Sequence, residues 1–158
     1  MAQSPLKALA WCPWKNTLLA SGGGTADKSV KLWNITNGQK ALEFDTGCQV
    51  AGILWNQEYR EIITAGGFPS NALSLWKYPK FTLVKELEVC LITTSSYNYF
   101  YHKGHEERIL CMTGSPCGQK VATVGAGEQL RIWDCWSSTK KAKVATKATA
   151  DIRTINIR

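Results

Sequence analysis

Three stretches of this chain repeat one pattern. Lys7–Asn34, Val50–Lys77 and Ile109–Asp134 are each three short apolar runs that close on a tryptophan, at Trp33, Trp76 and Trp133. Self-similarity at a fixed interval means that one structural unit is stacked on copies of itself, which constrains the fold more than any local propensity does. Within the copies the runs Leu6–Trp11, Leu18–Ala20, Ser29–Trp33, Val50–Trp55, Glu61–Ala65 and Leu73–Trp76 are β-favouring and are separated by Gly, Pro, Asn and Asp. They read as short antiparallel strands, and no long window has helical periodicity.

The interval from Trp33 to Trp76 is 43 residues, within the roughly 40–45 expected when four strands make one propeller blade. The third copy adds Gly104-His105 ahead of Trp133-Asp134. A buried polar relay explains that pairing: the imidazole bonds a strand hydroxyl, here Thr123, and the hydroxyl accepts the indole N–H. The fold expected is all-β, a partial WD-repeat β-propeller of about three four-stranded antiparallel blades. Copies fall near 7–47, 48–87 and 103–136, giving a body at 6–136 and an irregular basic C-terminal tail at 137–158. Because the first two copies lack the Gly-His dipeptide, their blades are expected to hold by strand packing without the relay.

Between the second and third tryptophans the interval is 57 residues, which leaves an insertion at 88–102. It is apolar, then aromatic, and free of Pro, so an exposed loop of this composition would promote aggregation; a retained or mis-spliced segment and a lineage-specific loop both fit.

Of the +7 formal charge, Thr139–Arg158 carries six cations against Asp151 alone. Such a tail is either solvated or docks on a partner. The six cysteines have no metal-ligand spacing and read as free buried thiols of a reducing compartment. No secretory core follows Met1, and no apolar run nears the ~18 residues a spanning helix needs. Cytoplasm and nucleus are the expected locations, with no membrane partner. A catalytic centre is not expected: His102 and His105 are the only histidines, no nucleophile elbow occurs, and the carboxylates are scattered. Neither a metal nor another cofactor is expected.

The phrases Ala8-Leu9-Ala10-Trp11-Cys12-Pro13-Trp14, Ala20-Ser21-Gly22-Gly23-Gly24-Thr25, Leu75-Trp76-Lys77-Tyr78-Pro79 and Leu130-Arg131-Ile132-Trp133 resemble the last three blades of the Fizzy / cell division cycle protein 20 family. That resemblance covers about residues 6–87 and 103–136. Thr46-Gly47 and Gly125-Ala126-Gly127 point to the Fizzy-related branch and the Trp11–Trp14 phrase to Fizzy itself, so the branch stays open. Its members are WD-repeat co-activators that recruit substrates to the anaphase-promoting complex, a ubiquitin ligase, and they close a seven-bladed ring. Three blades alone would leave open faces, so the chain is expected to be marginal by itself or part of a longer product.

The resemblance further implies three sites. A KEN-box degron peptide would contact Thr25, Gln49 and Arg108 on the top face near the channel. Glu128 would help hold the arginine of a destruction box, although the rest of that groove lies in a first blade outside this chain. Ile157 and Arg158 with the terminal carboxylate would dock in a tetratricopeptide-repeat subunit of the ligase. Partners implied are the ligase, degron-bearing substrates such as cyclins, and spindle-checkpoint proteins. The alternatives are a generic WD-repeat scaffold and a nucleic-acid-associated protein acting through its basic tail. Against the latter, Trp11, Trp14, Trp55 and Trp136 read as blade core or rim rather than as a base-stacking platform. Gly22–Gly24 read as a tight turn, since no phosphate-loop lysine or helix follows.

Overall fold

The computed structural model describes residues 5–91, 100–136 and 152–156, with strand backbone alone at 88–91, 100–103 and 152–156. The three repeats become three antiparallel sheets. The first contains β1 (Ala8–Trp11), β2 (Leu18–Gly22), β3 (Ser29–Asn34) and β4 (Gln39–Asp45) in sequence order. The second contains β5 (Val50–Asn56), β6 (Glu61–Gly66), β7 (Leu73–Lys77), β8 (Thr82–Leu91) and β9 (Phe100–Lys103). The third contains β10 (Ile109–Gly114), β11 (Lys120–Gly125), β12 (Gln129–Asp134) and β13 (Ile152–Asn156). The expected strands are all present, most of them a residue or two longer than the apolar runs that announced them.

Each sheet is a radial blade, and the first strands β1, β5 and β10 lie side by side along the centre. Two apolar layers cement the blades. Ala20, Val30 and Leu32 of the first meet Val50, Ile62 and Trp76 of the second. Ile63, Leu73 and Leu75 of the second meet Val121 and Trp133 of the third. The register explains the repetition: Leu19↔Trp33, Ile62↔Trp76 and Val121↔Trp133 are equivalent pairs, so each closing tryptophan points toward the blade before its own. Trp133 is fully buried and Trp76 nearly so, whereas Trp33, with no preceding blade in this chain, is half-buried beside exposed Leu9 and Trp11.

Glycine makes the close approach possible at one joint. A Cβ on Gly22 would stand 2.5 Å from the Val50 side chain, and the neighbouring Gly23 carbonyl accepts the Val50 N–H at 3.0 Å. Gly22 and Gly23 are therefore required by crowding, and the turn itself is made by the residues that follow, Thr25–Asp27.

Three expectations need correction. The tryptophan–hydroxyl bond is not confined to the third blade: the indole N–H donates to Ser21 Oγ at 2.8 Å, to Thr64 Oγ1 at 2.9 Å and to Thr123 Oγ1 at 2.7 Å in the successive blades. Only the imidazole is peculiar to the third, where His105 Nε2 lies 2.7 Å from Thr123 Oγ1. Serine or threonine at the matching position of β2, β6 and β11 is the signal in the sequence. Second, the tail is not irregular throughout, because Ile152–Asn156 pairs with β12 as the outer strand of its blade. β-branched Ile152, Thr154 and Ile155 favour that state. Third, Cys12, Cys48, Cys111, Cys117 and Cys135 are free, and Cys12 and Cys48 are buried but Cys111 and Cys117 are exposed. The insertion at 88–102 begins and ends as a ribbon, with Glu88–Leu91 paired to Phe100–Lys103; its residues 92–99 lie outside the described part.

Thr64→Val removes the acceptor from a buried indole N–H, and the unfolding free energy is expected to fall by about 1–3 kcal/mol. Ser21→Ala is expected to cost less, since water reaches half-buried Trp33. Urea melts of the two variants check the order.

Candidate functional site

All three inner strands run in the same direction, so the residues immediately before them arrive at one rim of the channel. These are Lys7, Gln49 and Arg108, preceding β1, β5 and β10. They line a single cleft of about 160 Å³ whose walls include Gly67 and Leu110. Two of the three expected KEN contacts, Gln49 and Arg108, thus meet in one place. Thr25 does not line that cleft; it is exposed in the turn between β2 and β3. The sequence hides the kinship of Lys7 with Gln49 and Arg108, because the intervals from these residues to Trp33, Trp76 and Trp133 are 26, 27 and 25, and the first strands of the second and third blades carry bulges that the first lacks.

Local structure fixes each position. The Gln49 carbonyl accepts the Gly67 N–H at 2.7 Å, and its side chain lies over Gly67, where a Cβ would sit 3.0 Å from Oε1. Half-buried Gln49 therefore presents its amide from the cleft floor. Arg108 is exposed, and its carbonyl accepts the Ala126 N–H at 3.0 Å.

The loop leading to Arg108 is clamped from two blades. His105 N–H donates to the Asn71 carbonyl at 2.8 Å, and Asn71 Nδ2 donates to the Glu106 carbonyl at 3.2 Å. From the other side Arg131, 1 % exposed, donates through Nη1 to the Gly104 carbonyl and through Nη2 to Gln129 Oε1 at 2.8 Å. Gly104 has φ +72° and lies so close to the Asn71 carbonyl that no side chain fits. The Gly-His dipeptide thus joins the second blade to the third and aims the segment that ends in Arg108.

Electrostatics at this clamp favour a neutral imidazole. Burial, and secondarily the Arg131 guanidinium, push the His105 pKa down from 6.5 to about 4. Burial likewise lowers the pKa of Arg131 itself. At the matching place in the first blade, Lys31 pairs with Asp27, whose carboxyl is held below its usual range by the Lys31 ammonium and then by the Ser29 hydroxyl.

Glu128 is exposed with φ 58°. In register it matches Lys28 (φ 51°) and Asn71 (φ 49°), the left-handed residue of the same turn in the other blades. Its backbone role is thus shared with two residues of different chemistry. Ile157 and Arg158 lie outside the described residues. At the far ends of β5 and β10 a larger cleft of about 330 Å³ is lined by Trp55, Glu58, Cys117, Lys120 and Trp136; there the Ser115 hydroxyl holds the Cys117 thiol below its ordinary pKa. Among the described residues no cluster of His, Cys, Asp and Glu is arranged to hold a metal.

This is a segment of a WD-repeat propeller, and the comparisons with known proteins agree. The WD domain, G-beta repeat family matches residues 2–34 and 91–134. The chain is 39% identical over 149 residues to Cell division cycle 20.1, cofactor of APC complex, of Arabidopsis thaliana, covering 94% of this chain and 29% of the relative. To the WD repeat-containing protein srw1 of Schizosaccharomyces pombe it is 37% identical, covering 97% and 25%. To Protein FIZZY-RELATED 3 of Arabidopsis thaliana it is 38% identical, covering 85% and 25%. A chain in the crystal structure of the mitotic checkpoint complex superposes with a TM-score of 0.69 at 34% identity, over 84% of this chain and 36% of that one. The chain belongs to the Fizzy / cell division cycle 20 family of WD-repeat proteins. It spans between a quarter and a third of the length of these curated relatives.

Because the folded chain keeps His105 neutral while the unfolded chain takes up a proton below pH 6.5, stability should fall as pH drops from about 6.5 toward 4. The slope is expected to reach at most ~1.4 kcal/mol per pH unit and to level off below the folded pKa. Urea melts across this range should show a shallower fall in His105→Asn than in the natural chain.

Proposed function

We propose that this chain is a substrate-recruiting adaptor of the anaphase-promoting complex, working in the cytoplasm and nucleus, with the cleft of Gln49 and Arg108 as its KEN-degron site. The observation that carries this reading is the convergence of those two residues, distant in sequence, on one cleft at the channel rim. Relatives named as cofactors of the APC complex, and a structural neighbour in the mitotic checkpoint complex, support the assembly.

The chemistry fits an extended peptide. An exposed guanidinium offers a planar fork to a carboxylate, here the degron glutamate. The Gln49 amide has both donor and acceptor for an asparagine side chain. Thr25, outside the cleft but on a connecting turn of the rim, would meet a flanking part of the peptide, and Glu128 would meet a destruction-box arginine. Catalysis is left to the ligase. Adaptor function needs a second attachment, which Ile157 and Arg158 with the terminal carboxylate would supply at a tetratricopeptide-repeat subunit; holding both partners raises the effective concentration of substrate. Cyclins and checkpoint proteins are the partner classes to test.

Arg108→Ala is expected to weaken binding of a KEN peptide about tenfold or more, read by fluorescence anisotropy; unchanged affinity would exclude the site. A peptide of residues 151–158 should bind the purified ligase and lose binding when Ile157 and Arg158 are deleted or the terminus is amidated. Loss through salt alone, steep enough to release five or six counterions, would instead favour a polyanion partner.

A further inference from the structure

The KEN reading leaves one cation of the cleft without a role. Lys7 is exposed, precedes β1 as Gln49 precedes β5 and Arg108 precedes β10, and lines the same cleft. Its backbone is anchored by donation of Lys7 N–H to the Gly22 carbonyl at 3.2 Å. Among the described residues no carboxylate lines this cleft, although Glu106 and Glu107 stand exposed just before Arg108. Two cations therefore line one cleft of about 160 Å³. Once the Arg108 fork is filled by a degron glutamate, the Lys7 ammonium is still a point charge with three donors and can take a further anion.

We propose that Lys7 is a specificity residue of this cleft, selecting peptides that carry an additional negative group, above all a phosphorylated serine or threonine, within two residues of the tag. This rests on the KEN reading given above. A phosphate contributes nearly two charges and three acceptor oxygens, so it gains more from Lys7 than a carboxylate does, and a neutral serine gains almost nothing. Phosphorylation of a substrate beside its tag would then strengthen recruitment through the adaptor itself.

The test uses the full 158-residue chain with three labelled KEN peptides that differ only beside the tag, where they carry serine, glutamate or phosphoserine, the variable residue being placed at each position within two of the tag. For at least one placement the expected affinities rise in that order, phosphoserine exceeding serine by about 3–10-fold at low ionic strength, as for a partly exposed charged pair. Lys7→Met should erase the difference among the three peptides, weakening the phosphoserine peptide more than the serine peptide. Arg108→Ala should weaken all three. Circular dichroism confirms that each variant is folded. Equal binding of the three peptides at every placement, or a phosphoserine preference that survives Lys7→Met, overturns the role of Lys7 while leaving the tag site intact. Indifference of all peptides to Arg108→Ala, or absence of binding by the natural chain, overturns the tag site and the Lys7 role together.

Discussion

Every blade depends on one bond, from the indole N–H of its closing tryptophan to a hydroxyl on the strand beside it. An indole is the largest apolar group a sheet can place between blades, yet its N–H must not be buried without a partner. Ser21, Thr64 and Thr123 supply that partner on the neighbouring strand. With the polar atom satisfied, the ring can be pressed against the preceding blade, and the two apolar layers follow from repeating that step. Nothing in this device requires histidine, so two blades do without it.

The third blade uses histidine for a different task. His105 completes the relay to Thr123, but its backbone and that of Gly104 are what Asn71 and Arg131 hold. Burying a guanidinium is costly unless its donors are matched; here Nη1 and Nη2 find acceptors while Nε finds none, and the carbonyl that takes Nη1 belongs to the loop that ends in Arg108. Core order and presentation of a surface cation are thus one structure. The same burial keeps the imidazole neutral.

Much of the fold was legible because its signal is periodic. The tryptophan interval, the alternating apolar runs and Gly104-His105 ahead of Trp133 gave blades, strand positions and the relay to Thr123. The hydroxyl partners Ser21 and Thr64 have no histidine to mark them, and only the aligned position in β2, β6 and β11 signals them. The strand at Ile152–Asn156 was hidden by the basic residues around it, although its β-branched residues favour pairing. Of the site, Gln49 and Arg108 were reachable only through family resemblance, and composition gave no hint of their meeting. Lys7 was hidden by bulges in β5 and β10 that shift its counterparts relative to the closing tryptophans. Thr25 and Glu128 show the limit of transfer by motif: their places on turns are clear, but the cleft does not include Thr25, and the backbone state of Glu128 is that of Lys28 and Asn71 as well.

The pairing of β13 with β12 has a geometric consequence. Gln129 faces Asn156 across that ladder, so the chain ends its last strand on the same rim as Arg108 but three strands farther from the axis, about 14 Å at the usual spacing between strands. A linear tag near the hub and a docking signal leaving from the circumference would not compete for space. One wheel segment could then be gripped at its edge while it carries cargo at its centre.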